Sequence, residues 1–132
     1  GQQILNPIDV AGWQENQDWI STGTLPMRWE FGDYLINRYY AANKDQFRSL
    51  LKDMVGINND NPESIVRTVK EYMFCNYEIL SDELNDAISI FKGDIPDNYF
   101  DGGGWNIDDS TVPKQFYDLL RFFVTLPEFQ LK

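Results

Sequence analysis

The sequence predicts an all-α fold: a small bundle of about five helices with an irregular, Trp-rich N-terminal segment packed across it. Three observations lead there. Apolar residues recur at spacings of three and four in five separate stretches. Most of those stretches open on Asn, Ser, Thr or Pro and close on Gly or Pro, the punctuation of helix ends. No stretch alternates apolar and polar residues as a half-buried strand would.

At 132 residues the chain reads as one domain, with residues 1–23 as an irregular strap, 24–132 as the bundle, and a loop at 94–110. A chain of this size buries roughly two-thirds of the surface its unfolded form exposes. The hydrophobic fraction is 42% and the aromatic fraction 15%, so Phe, Tyr and Trp must supply much of the core.

In chain order, residues 2–23 lack regular periodicity and are broken by Pro7, Gly12, Asn16 and Gly23. Ile4, Leu5, Ile8, Val10, Trp13, Trp19 and Ile20 are too many apolar groups for a solvated arm. The segment is expected to lie across the helical body. The first helix should start near Thr24, capped by Ser21, Thr22 or Thr24, with Pro26 in its first turn, and run to about Ala42. Leu25, Trp29, Gly32, Ile36 and Tyr39 form its expected buried face. Asn43 should cap the second helix, whose face is Phe47, Leu50, Leu51 and Met54 and whose stop is Gly56. The third opens on Asn61 and Pro62, buries Ile65, Val69, Tyr72 and Met73, and ends near Asn76. The fourth follows Ser81, buries Leu84, Ala87, Ile88 and Phe91, and stops at Gly93. Gly102, Gly103 and Gly104 mark the next stretch as a helix-free loop. The last helix follows Ser110, with Phe116, Leu119, Leu120 and Phe123 inward, and Leu126 and Pro127 end it ahead of a short tail.

Composition removes whole classes of function. The formal charge is −10, from 21 acidic and 11 basic residues, and no Lys/Arg cluster offsets it locally. That balance repels nucleic acid and disfavours an anionic membrane surface. No apolar run approaches the roughly 20 residues of a membrane helix. Without a His, the chain holds no Ser-His-Asp or Cys-His machinery and no His-ligated zinc. Cys75 is the sole cysteine, which rules out an internal disulfide.

Residues 6–31 carry three of the four Trp residues and a specific pattern. N-P-I-D-V-A-G-W, then W-I-S-T, then T-L-P-M-R-W-E-F resembles a signature of the bacterial domain of unknown function 1800 family. The matching positions are Asn6, Pro7, Val10, Gly12, Trp13, Trp19, Ile20, Thr22, Thr24, Leu25, Arg28 and Phe31. The closing L-P-E-F-Q at residues 126–130 is similar to the tail of that family. Where the family has a Gly-Gly turn between its tryptophans, this chain has Gln14, Glu15, Asn16, Gln17 and Asp18. The resemblance implies the C-terminal part of a longer, exported bacterial protein, periplasmic or on the cell surface, and no known activity. A start at Gly1 rather than Met agrees with a fragment.

Several sharper readings compete with a structural one. Trp13, Trp19 and Arg28 could floor a ligand groove, but large rings in ordered loops mostly pack. Asp97, Asp101 and Asp108 with Trp105 form a candidate ligand loop. The spacing lacks the alternating oxygens and twelfth-position Glu of an EF-hand, so no metal or cofactor is expected. Asp9, Asp18, Glu30 and Asp33 are the carboxylates a catalyst would draw on, yet no spacing pairs two of them across a cleft, so no catalytic residue is assigned. Asp33 can as easily pair with Arg38 or meet water. Tyr34, Tyr39, Tyr40, Tyr99 and Trp105 raise stacking on sugars, although Tyr39 sits at core spacing. The expectation is a structural or interaction domain whose partner is the rest of a longer polypeptide or another protein. The alternatives are a glycan- or ligand-binding surface and one wall of an enzyme site. The sequence sets no oligomeric state.

If Trp13 is an anchor, Trp13→Ala costs about 3–5 kcal/mol in chemical denaturation, and an unchanged melting temperature contradicts the anchoring role.

Overall fold

A computed structural model describes residues 22–75 and 78–130. These residues form seven helices packed together, with no strand among them. They are α1 (Thr24–Ala42), α2 (Lys44–Val55), α3 (Pro62–Phe74), α4 (Ser81–Lys92), α5 (Asp97–Asp101), α6 (Val112–Thr125) and α7 (Pro127–Gln130). The all-α class holds, and five helices become seven. The expectations for residues 1–21 and for Asn76 fall outside the described residues.

The two additional helices are single turns with local causes. The three glycines do not forbid helix at the 94–110 loop. They end one: α5 precedes them, and Gly102 N–H donates to the Asn98 carbonyl at 3.0 Å. Gly104 has a steric role, since a Cβ there would lie 2.8 Å from the Tyr99 ring. The tail after Leu126 coils again because Pro127 is pre-set for a first helical turn.

Cap chemistry accounts for most of the other ends. Asn43 Oδ1 accepts from Gln46 N–H at 3.3 Å, and Asn61 Oδ1 from Ser64 N–H at 2.9 Å. Gly56 and Gly93 stop α2 and α4 with φ of +92° and +59°, angles that favour glycine. Three starts differ from expectation. Gly23 stands at the head of α1 with no side-chain cap. Leu80, not Ser81, precedes α4, and its N–H donates to the Glu83 carboxylate at 3.0 Å, the backward half of a capping box. Thr111, rather than Ser110, precedes α6.

The core forms around α6. Val112, Gln115, Phe116, Tyr117, Leu119, Phe123 and Val124 are buried on it, covering more than the single stripe read from the sequence. Helices α1, α2, α3, α4 and α7 all pack on α6. Aromatic edges join the layers: Phe47 meets Phe116 at 5.8 Å and Tyr40 at 5.4 Å, and Tyr40 stacks on Tyr117 at 4.4 Å. At the other end Phe74 packs edge-on to Phe123 at 5.3 Å and Phe129 at 6.1 Å. Four residues assigned to core faces stay exposed: Trp29, Tyr39, Leu50 and Tyr72. In α1 the ring that enters is Tyr40, one position on, and in α3 Val66 is buried beside Ile65. A one-residue step turns the helix by about 100°, which moves a side chain off the buried edge.

Gln115 is the buried polar residue at the centre. Its Nε2 donates to the Phe91 carbonyl at 2.9 Å, one of the last carbonyls of α4 that the helix itself leaves unpaired. Its Oε1 accepts from Trp105 Nε1 at 3.2 Å and Thr111 Oγ1 at 3.0 Å. One side chain therefore ties α4, the glycine loop and α6. Gln115→Leu keeps the volume and strands those groups, so it is expected to cost about 1–3 kcal/mol at unchanged m-value, and a variant within about 0.5 kcal/mol of wild type refutes the bridging role.

Candidate functional site

The residues singled out from sequence scatter. Trp105 is 1% exposed, packed between Phe91 and Phe100, and is no platform for a ligand. Asp97 pairs with Lys92 at 2.8 Å, and Asp108 pairs with Lys52. Asp101 is exposed. Among the described residues no three of His, Cys, Asp or Glu group to hold a metal ion. The polar groups of this loop instead fold it. Asn106 Oδ1 accepts from Asp108 N–H at 2.9 Å, Asp109 Oδ1 from Thr111 N–H at 3.0 Å, and Asp60 Oδ1 from Ile107 N–H at 3.1 Å. The first two are turns that Asn and Asp make two residues ahead, a spacing visible in the sequence.

Asp33 pairs with Arg121, and not with Arg38. Its second oxygen accepts from Asn37 Nδ2 at 2.6 Å, and Tyr117 hydroxyl donates to Asn37 Oδ1. The hydrogen bond to Asp33 holds the Arg121 guanidinium above its ordinary pKa, against a smaller desolvation effect. This is a seam joining α1 to α6. Its ion pair is half-exposed and contributes at most about 1 kcal/mol. Asp9 and Asp18 lie outside the described residues, and Glu30 is exposed.

The two stretches that carry the resemblance meet. Arg28 Nη1 donates to the Gln130 carbonyl at 3.0 Å, and Gln130 Nε2 donates to the Val124 carbonyl at 2.6 Å. Both acceptors lie at helix ends, where carbonyls lack intrahelical partners. Gly32 packs on Val124, where an added methyl would sit at 3.5 Å, an ordinary contact. Arg28 and the closing turn thus pin α1 to the C-terminal end of α6. Thr24 and Leu25 are half-buried, whereas Phe31 points outward. Asn6, Pro7, Val10, Gly12, Trp13 and Trp19 lie outside the described residues.

The surface feature that stands out is the far side of α1. Met27, Phe31, Tyr34 and Leu35 are 68, 60, 53 and 45% exposed. Their spacing of i, i+4, i+7 and i+8 is that of one helix face, opposite the face that holds Ile36 and Tyr40. Beside this strip runs a groove of about 490 Å³ between α1, α2 and α6, lined by Leu35, Ile36, Tyr39, Gln46, Phe47, Leu50 and Leu120. A second hollow of about 390 Å³ shares Leu35, Tyr39 and Gln46 with it and adds Tyr34 and Arg38. The lining is almost wholly hydrocarbon and aromatic. The two buried side-chain atoms without a partner among the described residues, Arg48 Nε and Glu128 Oε2, line neither hollow. The arrangement suits apolar contact, with the Arg38 guanidinium as the charged group lining the second hollow. Sequence reading missed it by stopping at one stripe of α1. The signal was there, as a second stripe on the same helix.

A family model described as "Protein of unknown function (DUF1800)" matches residues 1–131. The chain belongs to the DUF1800 family. No curated protein and no solved structure matches it. Among the described residues of this DUF1800 domain, no helix is long and apolar enough to cross a membrane.

Proposed function

We propose that this DUF1800 domain is a structural and interaction module, the C-terminal end of a longer exported bacterial protein, with its Trp-rich segment 1–23 packed across the bundle. One observation carries the reading. Helix α1 is apolar on both sides, with Ile36 and Tyr40 against the bundle and Met27, Phe31, Tyr34 and Leu35 away from it. A helix with apolar stripes on two opposite faces can bury the second only against more protein, because water on that side forfeits about 1.5–3 kcal/mol for each large side chain left out. The outer face of α1 is therefore a docking face for more protein. The charge of −10 argues against nucleic acid as what covers it. A sugar-binding surface has less support, since Tyr40 and Trp105, two of the five rings it would use, pack in the core.

The test belongs in the longer protein that this reading supposes. Phe31→Asp with Leu35→Asp is expected to destabilise it by about 3 kcal/mol or more, as two buried apolar groups are replaced by carboxylates. A cost within about 0.5 kcal/mol per substitution, typical of a solvated surface, contradicts the docking face.

A further inference from the structure

We infer that the outer face of α1 is where two copies of this chain pair, their α1 helices antiparallel about a two-fold axis level with Tyr34. This inference rests on the docking reading above and names the occupant as a second copy.

Three observations favour self-pairing. The first is charge complementarity. Glu30 and Arg38 are the charged residues on the outer strip, and both are exposed. Among the described residues neither forms an ion pair, and Arg38 donates to the neutral Tyr34 hydroxyl at 2.7 Å. Glu30 lies four residues before Tyr34 and Arg38 four residues after it. An antiparallel pair with its axis at Tyr34 therefore sets Glu30 of each copy level with Arg38 of the other, about 6 Å along the helix from the axis. A two-fold interface makes each contact twice, so this one match supplies two pairs of opposite charge. With helix axes about 8–10 Å apart, these long side chains span the seam. A parallel pair would set like charges level instead.

The second is shape. Met27 and Ala41 lie seven residues on either side of Tyr34, and both are exposed. The same axis sets the long thioether of each copy level with the methyl of the other's Ala41, large against small. The third is the acidity of the rest of the chain. A formal charge of −10 opposes contact between two copies over most of their surface. The outer strip of α1 balances one Glu with one Arg, so two copies meet there with little repulsion and cover the hydrocarbon of Met27, Phe31 and Leu35. One helix against one helix is a small interface, so the pairing is weak, with a dissociation constant on the order of 1–100 μM.

The experiment is sedimentation equilibrium on the 132-residue chain and two charge reversals, Glu30→Arg and Arg38→Glu. The wild-type chain is expected to form dimers, and each reversal alone to weaken them about tenfold or more, because it sets like charges level at both ends of the seam. An equimolar mixture of the two reversals puts opposite charges level again at both ends, and is expected to associate within about threefold of wild type. Should a reversal fail to fold, Tyr34→Cys in a Cys75→Ser background replaces it. At the axis its two thiols are expected to join in a disulfide-linked dimer under mild oxidant, whereas Ile57→Cys, exposed in the α2–α3 turn, gives none. A wild-type chain still monomeric at about 1 mM, well above the range set by an interface of this size, overturns the pairing. So does a mixture of reversals that stays monomeric, or cross-linking through Ile57→Cys as strong as through Tyr34→Cys. If the pairing falls while the longer protein still loses stability on Phe31→Asp with Leu35→Asp, the docking face stands and only its occupant is wrong. If neither measurement moves, both readings fall.

Discussion

The burial of α6 is the constraint on which the other elements depend. Phe116, Leu119 and Phe123 are fully buried on it, and no other described helix carries as many buried residues. Each large apolar side chain removed from water contributes about 1.5–3 kcal/mol, and those on α6 are covered from several sides at once. Removing any covering helix would open part of that surface. The aromatic contacts make the dependence mutual, since Tyr117 and Phe116 of α6 meet Tyr40 of α1 and Phe47 of α2, which also meet each other.

Polar groups finish what burial begins, and they do so at helix ends. Gln115 takes up a carbonyl at the end of α4, Gln130 one at the end of α6, and Arg28 one at the end of α7. A buried carbonyl left unpaired costs about 1–3 kcal/mol, so long side chains that reach such groups fix how the helices abut. Arg28 lies in one of the two stretches by which the family is recognisable and Gln130 in the other. Their meeting gives a physical reason for this pairing of distant residues. The ion pairs are mostly exposed and add little by comparison.

Much of the fold was legible in the sequence, and the failures have identifiable causes. Asn43, Asn61, Gly56 and Gly93 marked helix ends because their chemistry is local and needs no tertiary partner. The turns α5 and α7 were missed because a single helical turn leaves no periodicity, only Pro96 ahead of the one and Pro127 opening the other. Tyr39 and Tyr40 traded roles because two adjacent aromatics at the edge of a stripe fit the spacing almost equally well. Gln115 was invisible because a buried amide looks like any polar residue until its partners, 10 and 24 positions away, are brought to it. The candidate site was less legible. Trp105 drew notice as an aromatic beside aspartates, yet its indole fills the core. The apolar back of α1 drew none, although Met27, Phe31, Tyr34 and Leu35 spell a second stripe.

Two kinds of helix result. Helix α6 is satisfied by what surrounds it, and α1 is satisfied on one side only. Native-state amide hydrogen exchange separates them most directly. With α6 as the centre of the fold, the amides of residues 116–123 exchange only through global unfolding, with opening free energies equal to the stability measured by denaturant. Amides of residues 116–123 that exchange through openings as small as those of α5 would contradict the account.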